Sequence, residues 1–195
     1  MSAAVIAGID EAGRGCLAGP VVAAACIFDR AMFKKQKLPR ITDSKQMTPE
    51  EREVAFLFLT EQCAYGVGEA DAGTIDAIGI LGATEAAMHQ ALAELMNTIT
   101  PTYLLIDGRD HFWFDIPHSS IIRGDQSEDS IAAASILAKV TRDRLMTSYD
   151  TEFPGYSFGD HKGYGTPQHF EILQRNGPCP LHRKTFLRRI STVPV

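Results

Sequence analysis

An α/β fold, a mixed central β-sheet flanked by helices, is predicted from three features of the chain. Two short apolar runs near the N-terminus, rich in alanine and β-branched residues, are joined by a brief Gly/Pro link, the pattern of a strand hairpin. Further on, short apolar runs ending in an acid and a glycine alternate with segments of helical periodicity. The chain has 195 residues, 45% of them apolar and 22% charged, which suits one globular domain with one substantial core.

The first run, Ala3-Ala4-Val5-Ile6-Ala7-Gly8-Ile9, is a buried strand that meets Asp10 and Glu11 and then Ala12-Gly13-Arg14-Gly15. Neighbours on a regular strand diverge, so both acids reach one site only if the strand ends or bends there. Residues 21–28 form the second strand. Thr48-Pro49-Glu50-Glu51 starts a helix: a hydroxyl cap, proline at the first helical position, and Glu51 placed to close a capping box. This helix runs to about 62, and residues 64–70 form a third strand weakened by Gly66 and Gly68. Ile78, Leu81, Ala87, Ala91 and Leu95 recur at helical spacing over 75–96, and Pro101 closes that region. Residues 103–108 form a strand ending in Asp107-Gly108, and 120–123 another ending at Gly124-Asp125. A long helix is predicted over 127–149, with Ala132, Ala133, Ala134 and Ala138 as a small face able to lie close on a sheet. Thr166-Pro167 opens a last helix, stopped by Asn176-Gly177-Pro178.

No stretch has the apolar length to span a bilayer, and the first run lacks a basic start, so neither membrane nor export is expected and the cytoplasm is. Cys16, Cys26, Cys63 and Cys179 are scattered, without zinc spacing, and are expected as reduced thiols. The net charge of −5 argues against unspecific adhesion to nucleic acid. A short basic helical segment nevertheless begins at about 161: His161, Lys162, His169, Arg175, His182, Arg183, Lys184, Arg188 and Arg189 are opposed by Glu171 alone.

Asp10-Glu11, Asp107 and Asp125 all close apolar segments. Strand ends that lie together form the usual ligand crevice of an α/β sheet. Like charges so close raise each other's pKa unless a cation sits between them, so the set reads as a seat for hard divalent ions with oxygen ligands. Two such ions roughly 3.5–4 Å apart would activate water and stabilise the leaving oxygen of a phosphodiester. The glycines around Arg14 let a ligand approach the backbone. They are not a dinucleotide fingerprint, because the spacing is wrong and Pro20-Val21-Val22 follows where a helix should start. Asp43-Ser44-Lys45 offers a hydroxyl and an ammonium suited to phosphate, and Ser135, Lys139 and Arg142 or Asp143 share a face of the long helix.

These residues resemble the type 2 ribonucleases H, in particular the bacterial ribonuclease HII family. The match runs from Gly8 to about Arg183 through Gly8-Ile9-Asp10-Glu11-Ala12-Gly13-Arg14-Gly15, Ala18-Gly19-Pro20-Val21-Val22-Ala23-Ala24, Asp43-Ser44-Lys45, Ile106-Asp107-Gly108 and Gly124-Asp125. It continues through Ala133-Ala134-Ser135-Ile136-Leu137-Ala138-Lys139-Val140, Arg142-Asp143 and His161-Lys162-Gly163-Tyr164. The sister ribonuclease HIII lacks the Gly-Arg-Gly, and some relatives carry a C-terminal helical extension largely missing here.

The resemblance implies a ribonuclease H-like fold in a single catalytic domain over 1–195. It implies Mg²⁺- or Mn²⁺-dependent endonucleolytic cleavage of the RNA strand of RNA–DNA hybrids, and cutting on the 5′ side of ribonucleotides embedded in duplex DNA. The ends would be 5′-phosphate and 3′-hydroxyl, the setting ribonucleotide excision repair, and the protein a monomer. Asp10, Glu11, Asp107 and Asp125 match the family's catalytic and metal-binding acids. Gly13, Arg14 and Gly15 match the loop that contacts the ribose 2′-hydroxyl, and Tyr164 the tyrosine beside the next sugar. Ser44, Lys45, Ser135 and Lys139 become contacts to phosphate. A site built to bond that hydroxyl can reject the deoxy analogue by about 10⁴–10⁵. Three other functions make separable predictions: another nuclease or strand-transfer enzyme on this fold would cut all-DNA duplexes, an inactive binding module would have a broken acid set, and a nucleotide-cofactor enzyme would bind free nucleotide.

Overall fold

The computed structural model describes residues 4–188, so Ala3 and Arg189 lie outside the described residues. Five strands, β1 (Ile6–Ala12), β2 (Val21–Ile27), β3 (Ala64–Ala70), β4 (Tyr103–Asp107) and β5 (His118–Ile121), form one sheet in the order β3-β2-β1-β4-β5. β1 and β2 are the predicted antiparallel hairpin, β3 extends it antiparallel, and β4 and β5 add in parallel on the other side of β1. The sheet is therefore mixed.

The alternation of strand faces sorts the core into two layers. Ala7, Ile9, Leu104 and Ile106 pack under α2 (Ala72–Met96) with Ala83, Ala87 and Leu95. Ala12, Ala24 and Cys26 pack on the opposite face, against Ala55 and Leu59 of α1 (Pro49–Gln62) and the alanines of a long helix that follows β5. Thr48 and Glu51 close the predicted capping box of α1. α2 starts three residues before the predicted 75, because Asp71 caps it by accepting from the Thr74 amide; Gly79, at φ 78°, interrupts it. Gly68 serves packing, since a Cβ there would sit 2.2 Å from the Ala87 carbonyl oxygen.

β5 lies two residues earlier than predicted. It begins where His118 pairs with Leu104, and it cannot extend through Arg123, whose φ of 57° is left-handed. The chain then turns through α3 (Gly124–Ser127) into α4 (Asp129–Glu152). Three further helices follow: α5 (Phe158–His161), α6 (Pro167–Asn176), which keeps its predicted start and stop, and α7 (Lys184–Leu187).

His161, His169, His182 and Arg183, counted in the sequence among the basic residues of this end, are buried, whereas Arg175, Lys184 and Arg188 are exposed. The His161 and His169 rings stack with centroids 4.0 Å apart, and His169 Nε2 lies 3.0 Å from His182 Nε2. His182 Nδ1 accepts from the Cys179 amide, so its Nε2 carries the proton and donates to His169. Burial pulls His169 and His182 down to about 4. Between there and the usual imidazole value near 6.5 the unfolded chain binds more protons than the folded one, so stability rises with pH across that window. The urea midpoint should fall on acidification through it, and less steeply in His169→Leu; parallel slopes would contradict a neutral cluster.

Candidate active site

Asp10, Asp107 and Asp125 each present a carboxylate oxygen, and these oxygens lie within 4.8 Å of one another. The sheet dictates this meeting. Residues 7 and 9 face α2, so Asp10 faces α4. Parallel pairing of Ile9 with Ile106 brings Asp10 level with Asp107, which by the same alternation faces α4. Beyond β5 the left-handed turn at Arg123 delivers Asp125 in the first turn of α3, its amide 3.4 Å from Asp107 Oδ1. Burial, then the charges of Glu11, Asp107 and Asp125, push the Asp10 carboxyl well above the usual range. Asp125 is pushed up to about 6 by burial and by Asp107 and Asp43, against the pull of Lys45.

Glu11 stands beside this group rather than in it. β1 does not end or bend at the acids; it stays paired with β2 through Ala12 and Val22, and the turn comes at Gly13. The Glu11 amide donates to Asp10 Oδ1 at 2.7 Å, while its carboxylate pairs with Arg14 Nη1 at 3.1 Å. Arg14 also binds Asp110 at 2.7 Å. Burial raises the Glu11 carboxyl and Arg14 opposes it. Two carboxylate oxygens here, Glu11 Oε2 and Asp125 Oδ1, are buried without a hydrogen-bond partner. Buried acceptors left so, one within the three crowded carboxylates and one adjoining them, fit a divalent cation as their missing partner.

The other predicted residues fall around this centre. Gly13 is buried at φ 91°, and a Cβ on it would lie 2.0 Å from Arg142 Nε. Arg14 is half-buried, and Gly15 is exposed with open space where a Cβ would be. Tyr164 is 40% exposed, with Lys139 Nζ 5.4 Å and the Arg142 guanidinium 5.8 Å from its ring centre. Lys139 is also paired with Asp143 at 2.8 Å. Ser44 and Ser135 share a buried hydroxyl–hydroxyl bond of 2.7 Å, and exposed Lys45 reaches to 3.9 Å from Asp125. A groove lined by Arg52, Lys139, Arg144, Lys162 and Tyr164, together with Glu53, Asp143 and Asp160, continues from the tyrosine.

The sequence does not single out Asp110, in an irregular loop, or Arg183, whose partners are more than 160 positions away. Asp43 belongs to a recognised triplet, but its own part was not foreseen: it caps the turn at Ser44–Gln46 and accepts from Gln126, the residue after Asp125.

A family model described as Ribonuclease HII matches residues 7–191. A ribonuclease HII of Geotalea uraniireducens is 54% identical over 184 residues, covering 94% of this chain and 82% of the relative. The crystal structure of the ribonuclease H2 of Pyrococcus horikoshii superposes with a TM-score of 0.73 at 27% identity, covering 95% of this chain and 96% of that one. The structure of Bst-RNase HIII in complex with Mn²⁺ has the same fold, with a TM-score of 0.67 at 21% identity over 96% of this chain and 70% of that one.

Proposed function

The chain belongs to the ribonuclease HII family, and from that premise we propose that it cuts DNA duplexes at embedded ribonucleotides as well as the RNA strand of RNA–DNA hybrids, with two divalent ions at Asp10, Glu11, Asp107 and Asp125. The single observation that carries the metal part is the meeting of three carboxylates, with one oxygen of Asp125 and one of the adjoining Glu11 buried without a partner. The Mn²⁺ complex of Bst-RNase HIII supports the same ion class. Mg²⁺ suits oxygen ligands equally well. When bound, such ions would activate a water and stabilise the departing 3′-oxygen, leaving 5′-phosphate and 3′-hydroxyl ends.

The residues of the chain supply the selection. The backbone of residues 13–15 hydrogen-bonds a ribose 2′-hydroxyl, a role supported by the exposure and open space at Gly15. Arg14, held between Glu11 and Asp110, fixes that loop against the acids. The half-exposed Tyr164 ring packs against the neighbouring sugar, which fits more closely without a hydroxyl. Lys45 and Lys139, with Ser44 and Ser135 behind them, neutralise phosphates on either side, and the groove beyond Tyr164 takes the duplex. Among the described residues no helix is long and apolar enough to cross a membrane. A cytoplasmic monomer acting in ribonucleotide repair completes the proposal.

The decisive experiment is cleavage of a labelled DNA duplex holding one ribonucleotide, beside an all-DNA control, with Mg²⁺, Mn²⁺ or chelator. A cut 5′ to the ribonucleotide is expected with metal only, and none in the control. Cutting of both duplexes would retain the metal site and discard the hydroxyl sensor; no cut by folded protein would discard the proposal.

A further inference from the structure

Two arginines, Arg142 of α4 and Arg183 just before α7, are wholly buried, and neither forms an ion pair among the described residues. Arg142 donates to three carbonyls: Pro20 through Nε at 2.9 Å, Ala18 through Nη2 at 3.0 Å and Lys162 through Nη1 at 2.8 Å. Arg183 donates to Gly19 through Nε and Nη2 at 3.0 and 2.8 Å, and to Arg14 through Nη1 at 2.9 Å. All these acceptors are backbone, and they belong to two segments only, 14–20 and the approach to Tyr164. A direct backbone bond knits the same segments, from the Leu17 amide to Gly163 at 2.8 Å, and the Arg183 amide is itself tied to Leu17 at 2.9 Å.

We propose that Arg142 and Arg183 are positioning residues for sugar recognition, a clamp in which Arg183 pins the loop at Arg14 and Gly19, Arg142 spans from that loop to the approach to Tyr164, and together they set the spacing between the backbone of residues 13–15 and the ring. The inference rests on the roles given above to that loop and that ring. Burying a guanidinium without a carboxylate costs more than a hydrophobic side chain of the same volume, so packing alone does not call for it. Burial lowers Arg183 to about 10, a sign of that cost. What a guanidinium uniquely supplies is a rigid planar fork that can hold several carbonyls in fixed relative positions; a lysine ammonium offers a single compact point on a flexible stem. Arg142 also touches both readers: Gly13 lies against its Nε with no room for a Cβ, and its guanidinium sits 5.8 Å from the Tyr164 ring centre.

A single ribonucleotide in DNA offers one 2′-hydroxyl next to a deoxyribose, so its cleavage needs loop and ring in register. A continuous hybrid offers a hydroxyl at every sugar and tolerates a displaced loop better. The test is steady-state cleavage of both substrates by the protein, Arg142→Lys and Arg183→Lys in Mn²⁺, with calorimetric Mn²⁺ titration counting folded sites in each. The ratio of kcat/KM on the single-ribonucleotide duplex to that on the hybrid should fall about tenfold in each variant, in keeping with the rate penalties of small misplacements, with Mn²⁺ affinity unchanged. A purely structural staple would lower both rates together, so an unchanged ratio overturns the clamp, whether the rates fall or hold. Should one variant lack Mn²⁺ sites, the other decides; if both lack them, the arginines are folding elements and the clamp is overturned. Failure of the unaltered protein to cut the single-ribonucleotide duplex would instead strike the roles of loop and ring.

Discussion

Asp10→Asn should lose metal-dependent cleavage, by on the order of 10³-fold or more, while the metal-free protein becomes more resistant to urea. The two effects have one origin. Asp10 is 5% exposed, and its carboxyl is held well above the usual range by burial and by Glu11, Asp107 and Asp125. A carboxyl with a raised folded-state pKa stabilises the fold least once its proton is gone; its contribution is fullest below the ordinary carboxylate pKa and declines as pH rises through the raised value. An amide has no charge to lose, keeps the shape, and leaves an oxygen to accept from the Glu11 amide. It gives a cation a neutral ligand in place of an anionic one, where Asp107 and Asp125 alone remain of the crowded set. Single-turnover cleavage, Mn²⁺ calorimetry and urea melts in chelator check the three parts. Near-normal turnover would sink the metal assignment, and a lower urea midpoint would show that the acids do not repel one another as placed.

What the sequence made legible follows the range of the interactions. Asp10, Asp107 and Asp125 are visible because each closes a short apolar run, and parallel pairing of β1 with β4 is enough to align two of them. The capping box at Thr48, the hairpin and the stop at Gly177 are local chemistry and keep their places. Glu11 is harder, because whether it joins Asp10 depends on where β1 stops; its pairing with the alanine-rich β2 carries it through both acids to Ala12. The charges after 160 are hardest. A histidine or arginine in a helical stretch is ordinarily a surface residue, and nothing nearby marks Arg183 as the partner of Gly19 or His169 as the partner of His182. Their acceptors are main-chain carbonyls and another ring, which carry no sequence signal, and the segments they join are brought together only by the assembled sheet.

Gly8→Ala should be a severely destabilising single-methyl change in the site's scaffold, costing about 3 kcal/mol or preventing folding outright. A Cβ at Gly8 would lie 2.2 Å from the Ser130 carbonyl carbon and 2.3 Å from the Ile131 amide nitrogen, so the clash is with the main chain of α4 and no rotamer relieves it. β1 cannot retreat, since Gly8 is paired with Cys26 on one side and Leu105 on the other. α4 would have to rise from the sheet, opening the core layer that Ala133, Ala134 and Ala138 share with buried Ala24 and Cys26. The site fails with it: Asp10 lies two residues along the same face of β1, and Asp125 is carried on the turn that leads into α4, so lifting the helix separates acids that now lie within 4.8 Å. Gly15→Ala is the control, with open space for its methyl group and an expected change in stability of about 0.5 kcal/mol or less. Equal urea midpoints for the two variants would mean that the helix and strand do not meet at Gly8, and the explanation of how Asp10 and Asp125 come together would go with that contact.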